Sequence, residues 1–206
     1  MIMSVKPNRM ELLKLKRRIA IARRGHKLLK DKQDELMRKF MSTIEDTKSL
    51  RFEVEKALKE IFIDFIEARS VNSAGLIDEQ LAARKAVLEV AYSTERFLNL
   101  GLTGFAIKNI PAEPEYSFFT TTSSLDRALA NFRGILSKLV ALAQAESRIK
   151  LLAEEIKKTR RRVNALEYIL IPNLIDTVRY INMKLAEFER SSLTRLMRVK
   201  EQIKIA

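Results

Sequence analysis

His26 is the single histidine of this chain, and there is no cysteine. Zinc centres draw on several such ligands at fixed spacing, so the usual ligand sets cannot be assembled. Gly101 and Gly104 are near neighbours, but no Gly-Lys-Ser/Thr follows them. A phosphate-cradling loop needs that continuation. The expectation is a chain that neither binds nor hydrolyses nucleotide itself, holds no cofactor and is not an enzyme. His26 falls within an apolar periodic pattern, where a polar residue more often fixes register than moves protons.

What remains for chemistry is charge. The 206 residues carry 39 Lys and Arg against 26 acids, a net charge of +13. Such an excess attracts nucleic acid, anionic lipid or an acidic protein surface. Its placement is uneven. Lys6 to Lys39 holds thirteen bases against four acids, and Arg190 to Ala206 holds five against one. Like charges on neighbouring helices repel, so such a concentration points to a negatively charged surrounding.

The elements that position these charges follow from apolar spacing. From residue 1 to 70 one seam reads Leu12, Leu15, Ile19, Ala22, His26, Leu29, Gln33, Leu36, Phe40, Thr43, Thr47, Leu50, Val54, Ala57, Ile61, Asp64, Ala68. The 3,4 spacing is a coiled-coil heptad, and the predicted helix spans roughly 90 Å at 1.5 Å per residue. Asn8 with Glu11 reads as its N-terminal cap. Residues 71–123 break the pattern with Gly75, Gly101, Gly104, Pro111 and Pro114. A short helix from Asp78 to Arg84 and a β-hairpin from 87–92 and 100–110 are expected there, followed by an extended connector up to Ser123. Residues 124–206 form the second long helix, with Ser123 and Asp126 as its cap. Its seam steps from Leu170 to Leu174 to Val178 with one residue too many, and Pro172 lies inside that step. Proline removes a donor and clashes with the carbonyl one turn back, so a kink or phase shift within one helix is predicted.

Two long helices around a small insert pair most simply as an antiparallel hairpin, with both chain ends at one tip. The expected fold is therefore all-α, a long antiparallel two-helix coiled coil with a small mixed insert. Near the insert the apolar faces widen beyond a seam, at Phe52, Leu58, Phe62, Ile63, Phe65 and Ile66 and at Leu129, Phe132, Ile135, Leu139, Val140 and Leu142. Either the insert or another protein is expected to cover them. Arg160, Arg161 and Arg162 precede Asn164 and Glu167, and at least one arginine is expected beside the seam, paired with Glu45 or Asp46. Met1 to Met10 has no apolar run typical of a signal peptide, and the longest uncharged apolar stretch, Phe97 to Ile107, is far below the roughly 18 residues of a membrane span.

Three motifs carry a family resemblance. Asn-Arg-Met-Glu-Leu at 8–12, Arg-Gly-His-Lys-Leu-Leu-Lys-Asp-Lys-Gln-Asp-Glu-Leu at 24–36 and Glu-Glu-Ile-Lys-Lys-Thr-Arg-Arg-Arg-Val-Asn-Ala-Leu-Glu-Tyr at 154–168 resemble the D subunit of the rotary V-type and A-type ATPases. Ile171-Pro172 and residues 195–200 continue the likeness, which covers both helices. The resemblance implies a central rotor axle that transmits torque between the catalytic A/B hexamer and a membrane ion-translocating ring. It implies that the basic tip, Arg9, Lys14, Lys16, Arg17, Arg18, Arg195 and Arg198, faces the hexamer. It makes Phe52, Leu58, Phe62, Phe65, Ile66, Phe132 and Ile135 candidate contacts for the F subunit or the membrane-side funnel subunit, called C or d. Arg160, Arg161, Arg162, Asn164 and Glu167 become a register motif. It further implies that the hairpin modulates hydrolysis, and that the protein is cytoplasmic and peripheral to the membrane. The alternative is a basic coiled-coil nucleic-acid-binding or scaffold protein, which predicts affinity falling steeply with salt. No interleaved aromatics of a single-strand platform support it.

Overall fold

The computed structural model describes residues 6–72, 75, 77–79, 88–109 and 122–205. Helix α1 runs Arg9–Val71, strands β1 and β2 are Glu89–Phe97 and Leu100–Asn109, and α2 runs Ser123–Asn164. A π-helical stretch, Ala165–Leu170, leads without a break into α3, Ile171–Ile205. The fold is long helices with a small antiparallel hairpin between them, as the spacing predicts. The chain divides into two compact units, one made of residues 1–37 with 155–206 and the other of residues 38–154.

In the first unit α1 packs antiparallel on the C-terminal helical run. Lys32 meets Glu155 at 3.0 Å, His26 meets Glu167 at 3.3 Å and Arg9 meets Glu189 at 2.6 Å, partners that rise as α1 numbers fall. The core is Leu15, Ala22, Leu174 and Ile181, flanked by Leu12, Ile19, Leu170 and Val178. In the second unit the same polarity holds: Glu53 meets Lys138 at 2.9 Å and Glu67 meets Arg127 at 3.4 Å. There Val54, Ile61, Ala128 and Ile135 form the core, and Ala68, Ile77 and Leu125 close its far end. Each of the seventeen predicted seam positions of α1 is buried or half-buried. Burying such a stripe contributes about 25 cal/mol for each Å² of apolar surface removed from water, and this holds helices whose own propensity would be marginal.

Pro172 has the predicted consequence in a specific form. The Ile171 N–H bonds the Leu166 carbonyl, five residues back. A π turn holds one residue more than an α turn, so the surplus in the heptad is taken up locally and the seam resumes at Leu174. The outcome is a phase shift within a continuous helix.

The caps differ in detail from the sequence reading. Asn8 supplies the carbonyl that accepts the Leu12 N–H, at 3.0 Å, while the Glu11 carboxylate pairs with Lys14 at 2.8 Å. At α2 the capping residue is Thr122, one position before the predicted Ser123. Its carbonyl accepts the Leu125 N–H at 2.9 Å, and its hydroxyl accepts from the Asn72 amide at 3.0 Å. That contact ties the end of α1 to the start of α2.

The hairpin pairs Phe97 with Leu100 and runs without irregularity to Val90 opposite Ile107. Gly104 packs closely on its partner strand, and a Cβ there would meet the Ser93 hydroxyl unless that side chain turned away. The predicted short helix 78–84 lies largely outside the described residues, although 77–79 are helical. The predicted connector lies outside them except for its last two residues.

Candidate interaction surfaces

Among the described residues no group of three or more His, Asp or Glu is placed to hold a metal ion, and no helix is long and apolar enough to cross a membrane. The surfaces with chemical character are two charged and apolar helix faces and the hairpin.

Of the seven predicted tip residues, two are paired. Arg9 bridges to Glu189 and Lys14 to Glu11, while Lys16, Arg17, Arg18, Arg195 and Arg198 are exposed with no ion pair among the described residues. The expectation that both basic stretches are neighbours needs correction. Because Arg9 already stands opposite Glu189, α3 continues past the start of α1. Arg195 and Arg198 therefore stand on a length of helix with no partner helix among the described residues. They lie about 20 Å along the axis from the level of Arg17 and Arg18, at 1.5 Å per residue. The positive charge is a line along this unit rather than a point. The same overhang explains a second departure. Leu196, Val199 and Ile203 continue the apolar period of α3, yet they are 50–72 % exposed, since among the described residues no helix lies opposite them. Phe188, Leu193 and Leu196 line an open groove of about 1110 Å³ with Pro7, Asn8 and Arg9.

The arginine triplet is also placed differently. Glu155 faces Lys32 and Glu167 faces His26, so residues 160–162 lie opposite the stretch between His26 and Lys32, not the turn of α1 that carries Glu45 and Asp46. Arg160, Arg161, Arg162 and Asn164 are all exposed. Three consecutive positions sweep about 200° of a helix, which leaves room for the seam between them and Thr159 or Val163. Thr159 is 1 % and Val163 5 % exposed, and these two fill it. Among the described residues, Glu167 is the member of the motif that pairs with α1, at His26. His26 is half-buried, so its place in the seam is kept while its Nε2 reaches out to a carboxylate.

In the second unit the predicted apolar contact residues divide. Ile135 belongs to the core, and Leu58 and Phe65 pack against it, so these three hold the helices together. Phe52, Phe62, Ile66 and Phe132 are 73, 59, 65 and 41 % exposed, and Ile63 is 60 % exposed. Phe62 and Ile66 are one helical turn apart and share a face of α1.

The hairpin is held by α2 through polar groups that sequence reading did not single out. Arg148 donates to the Thr103 carbonyl at 2.8 Å and to the Glu95 carboxylate at 2.9 Å. The Gln144 side chain accepts the Phe105 N–H at 2.8 Å, and Ser147 and Thr103 share a hydroxyl contact at 3.0 Å. Positions 144, 147 and 148 share one helix face. They satisfy the outer edge of β2, an edge that would otherwise expose unpaired backbone groups. The spacing of a polar trio on α2 was legible; its partner strand was not.

Comparison with known proteins accounts for this architecture. The family model of the ATP synthase D subunit matches residues 11–201. A V-type ATP synthase D subunit of Clostridium botulinum (strain Langeland) is 45 % identical over 98 % of this chain and 96 % of its own length. One from Thermoanaerobacter sp. (strain X514) is 44 % identical over 97 % and 96 %. The chain belongs to the family of ATP synthase D subunits.

Proposed function

We propose that this chain is the central rotor axle of a rotary V/A-type ATPase and carries torque between the catalytic A/B hexamer and the membrane ion-translocating ring. The observation that carries the reading is the match over residues 11–201 to the D-subunit family, on a chain whose long helices bury an apolar seam within each of its two units. An axle needs torsional stiffness, and a buried heptad seam supplies it. It needs no reactive group of its own. Coupling then requires only that the three catalytic interfaces of the ring differ in contact free energy with an asymmetric shaft.

On this reading the exposed Lys16, Arg17, Arg18, Arg195 and Arg198 face the hexamer. The exposed Phe52, Phe62, Ile66 and Phe132 are the contact for the F subunit or the membrane-side funnel. Scattered exposed apolar residues are ordinary, but Phe62 and Ile66 share one face of α1, and adjoining large apolar side chains of this kind mark protein contacts. The chain is then a peripheral, non-catalytic component of the complex.

Co-purification from cells tests the assignment. Recovery of the large nucleotide-binding subunits in stoichiometric amount is the expected outcome. Recovery of nuclease-sensitive DNA or RNA in their place would overturn it. Within an assembled complex, Arg17→Glu with Arg18→Glu is expected to uncouple or weaken ATP turnover while leaving the chain folded. Unchanged coupled turnover would remove these residues from the mechanism.

A further inference from the structure

Helix α1 begins at Arg9, which stands opposite Glu189 of α3 at 2.6 Å. The two helices are antiparallel here, so the chain before Arg9 heads along α3 toward its C-terminal end. Pro7 and Asn8 already lie in the open groove with Phe188, Leu193 and Leu196. Proline disfavours helix in the residue before it, and Lys6 and Pro7 are not helical. The chain therefore leaves α1 extended rather than as another helical turn. Residues 1–5, outside the described residues, read Met-Ile-Met-Ser-Val, four apolar side chains and no charge.

The length of this segment matches the overhang of α3. An extended chain advances about 3.3 Å per residue, and a helix about 1.5 Å. Counted from Arg9, Val5 lies about 13 Å along and Met3 about 20 Å. Counted from Glu189, Leu196 and Val199 lie at about 10 and 15 Å, and Ile203 at about 21 Å. Side chains alternate in an extended chain, so Pro7, Val5 and Met3 share one face. Pro7 lines the groove, and that face therefore meets Leu196, Val199 and Ile203 in turn. These three are exposed and share one side of α3 at 3,4 spacing. Charge points the same way. A second copy of this chain would bring Arg195, Arg198 and Lys200 against the same cations, whereas residues 1–5 bring none.

We propose that residues 1–5 form an extended strap along α3, with Val5 against Leu196 and Val199 and Met3 against Ile203. The strap continues from Pro7 down the groove and shields the apolar run of the overhang in the free chain. It carries no charge, so the positive line of α3 is left intact. Both segments belong to the first unit, and the inference does not depend on the axle reading.

The chain has no cysteine, so an introduced pair reads the contact without background. In the isolated full chain, Met3→Cys with Ile203→Cys is expected to form an internal disulfide readily under mild oxidation. Met3→Cys with Glu201→Cys is expected to react much more slowly, since Glu201 lies at nearly the same level but about 160° round the helix. A merely tethered end would react with both alike, and equal rates would overturn the strap. Disulfide-linked dimers in place of the internal bond would assign the face to a second copy and overturn it too. Hydrogen exchange gives a readout without cysteine. In Met3→Ser with Val5→Ser, amides 196–203 are expected to exchange about threefold faster than in the parent, because an extended strap covers only part of each side chain. Amides around Leu174 and Ile181 are expected to hold. Unchanged exchange over 196–203 refutes the strap.

Discussion

Leu174 and Thr159 show how differently two buried residues contribute. Leu174 is fully buried at the centre of its cluster. Leu174→Ala is expected to cost about 2–5 kcal/mol, the sum of lost transfer and the cavity left behind. Chemical denaturation of the isolated chain measures it, and a loss well under 1 kcal/mol would mean that the seam closes over the gap. Thr159 is 1 % exposed, and its hydroxyl has no hydrogen bond among the described residues. A buried hydroxyl without a partner is a cost. Thr159→Val keeps the shape and removes that cost, so an increase of up to about 1 kcal/mol is expected in the same experiment. By contrast Thr47 and Thr177 donate to carbonyls four residues back, at 2.6 Å each, and the matching changes there carry no such gain.

At the scale of elements, the π turn and the hairpin each make a prediction. The surplus residue in Ala165–Leu170 and the missing donor of Pro172 are two parts of one arrangement. Deleting Ile169 alone is expected to rotate α3 by about 100° against α1, and so to expose Leu174 and Ile181. Circular dichroism would show helix retained at low temperature and a large drop in unfolding midpoint. An unchanged midpoint would show that the turn is not what sets the phase. In the hairpin, Gly104→Ala brings a Cβ onto the Ser93 hydroxyl, and Gly101→Ala brings one to 2.9 Å from the Thr94 Cγ2. The first is expected to loosen the hairpin alone. Hydrogen exchange should quicken over 89–109 while the core amides of α1 and α2 hold. These features were legible in part. The proline and the heptad slip were visible as residues, and so was a β-hairpin. The turn at Leu98 was not, because leucine carries no turn signal and only the backbone shows its φ, 53°.

For the whole molecule, the overhang of α3 separates folding from function. Residues 193–203 are exposed throughout. Truncation after Ser192 is therefore expected to leave the unfolding free energy of the isolated chain almost unchanged. The same truncation is expected to impair coupling in an assembled complex, because it removes Arg195, Arg198 and the exposed apolar run. A truncated chain that unfolds much more easily would show that this length is packed after all. One that couples normally would take it out of the proposed ring contact.

Periodicity alone determined that the chain makes two long helices, which residues of α1 line the seam, and where the phase slips. Those follow from turn geometry and from the free energy of burying one stripe, and both act locally along the chain. Axial alignment does not follow from them. A heptad looks the same after sliding by seven residues, so the pattern cannot say which turn of one helix meets which turn of the other. That choice was made by the tertiary structure alone, through pairs such as Lys32 with Glu155 and Arg9 with Glu189. It decided that Arg160, Arg161 and Arg162 face solvent, that Ile135 belongs to the core while Phe62 does not, and that the last turns of α3 have no neighbouring helix among the described residues.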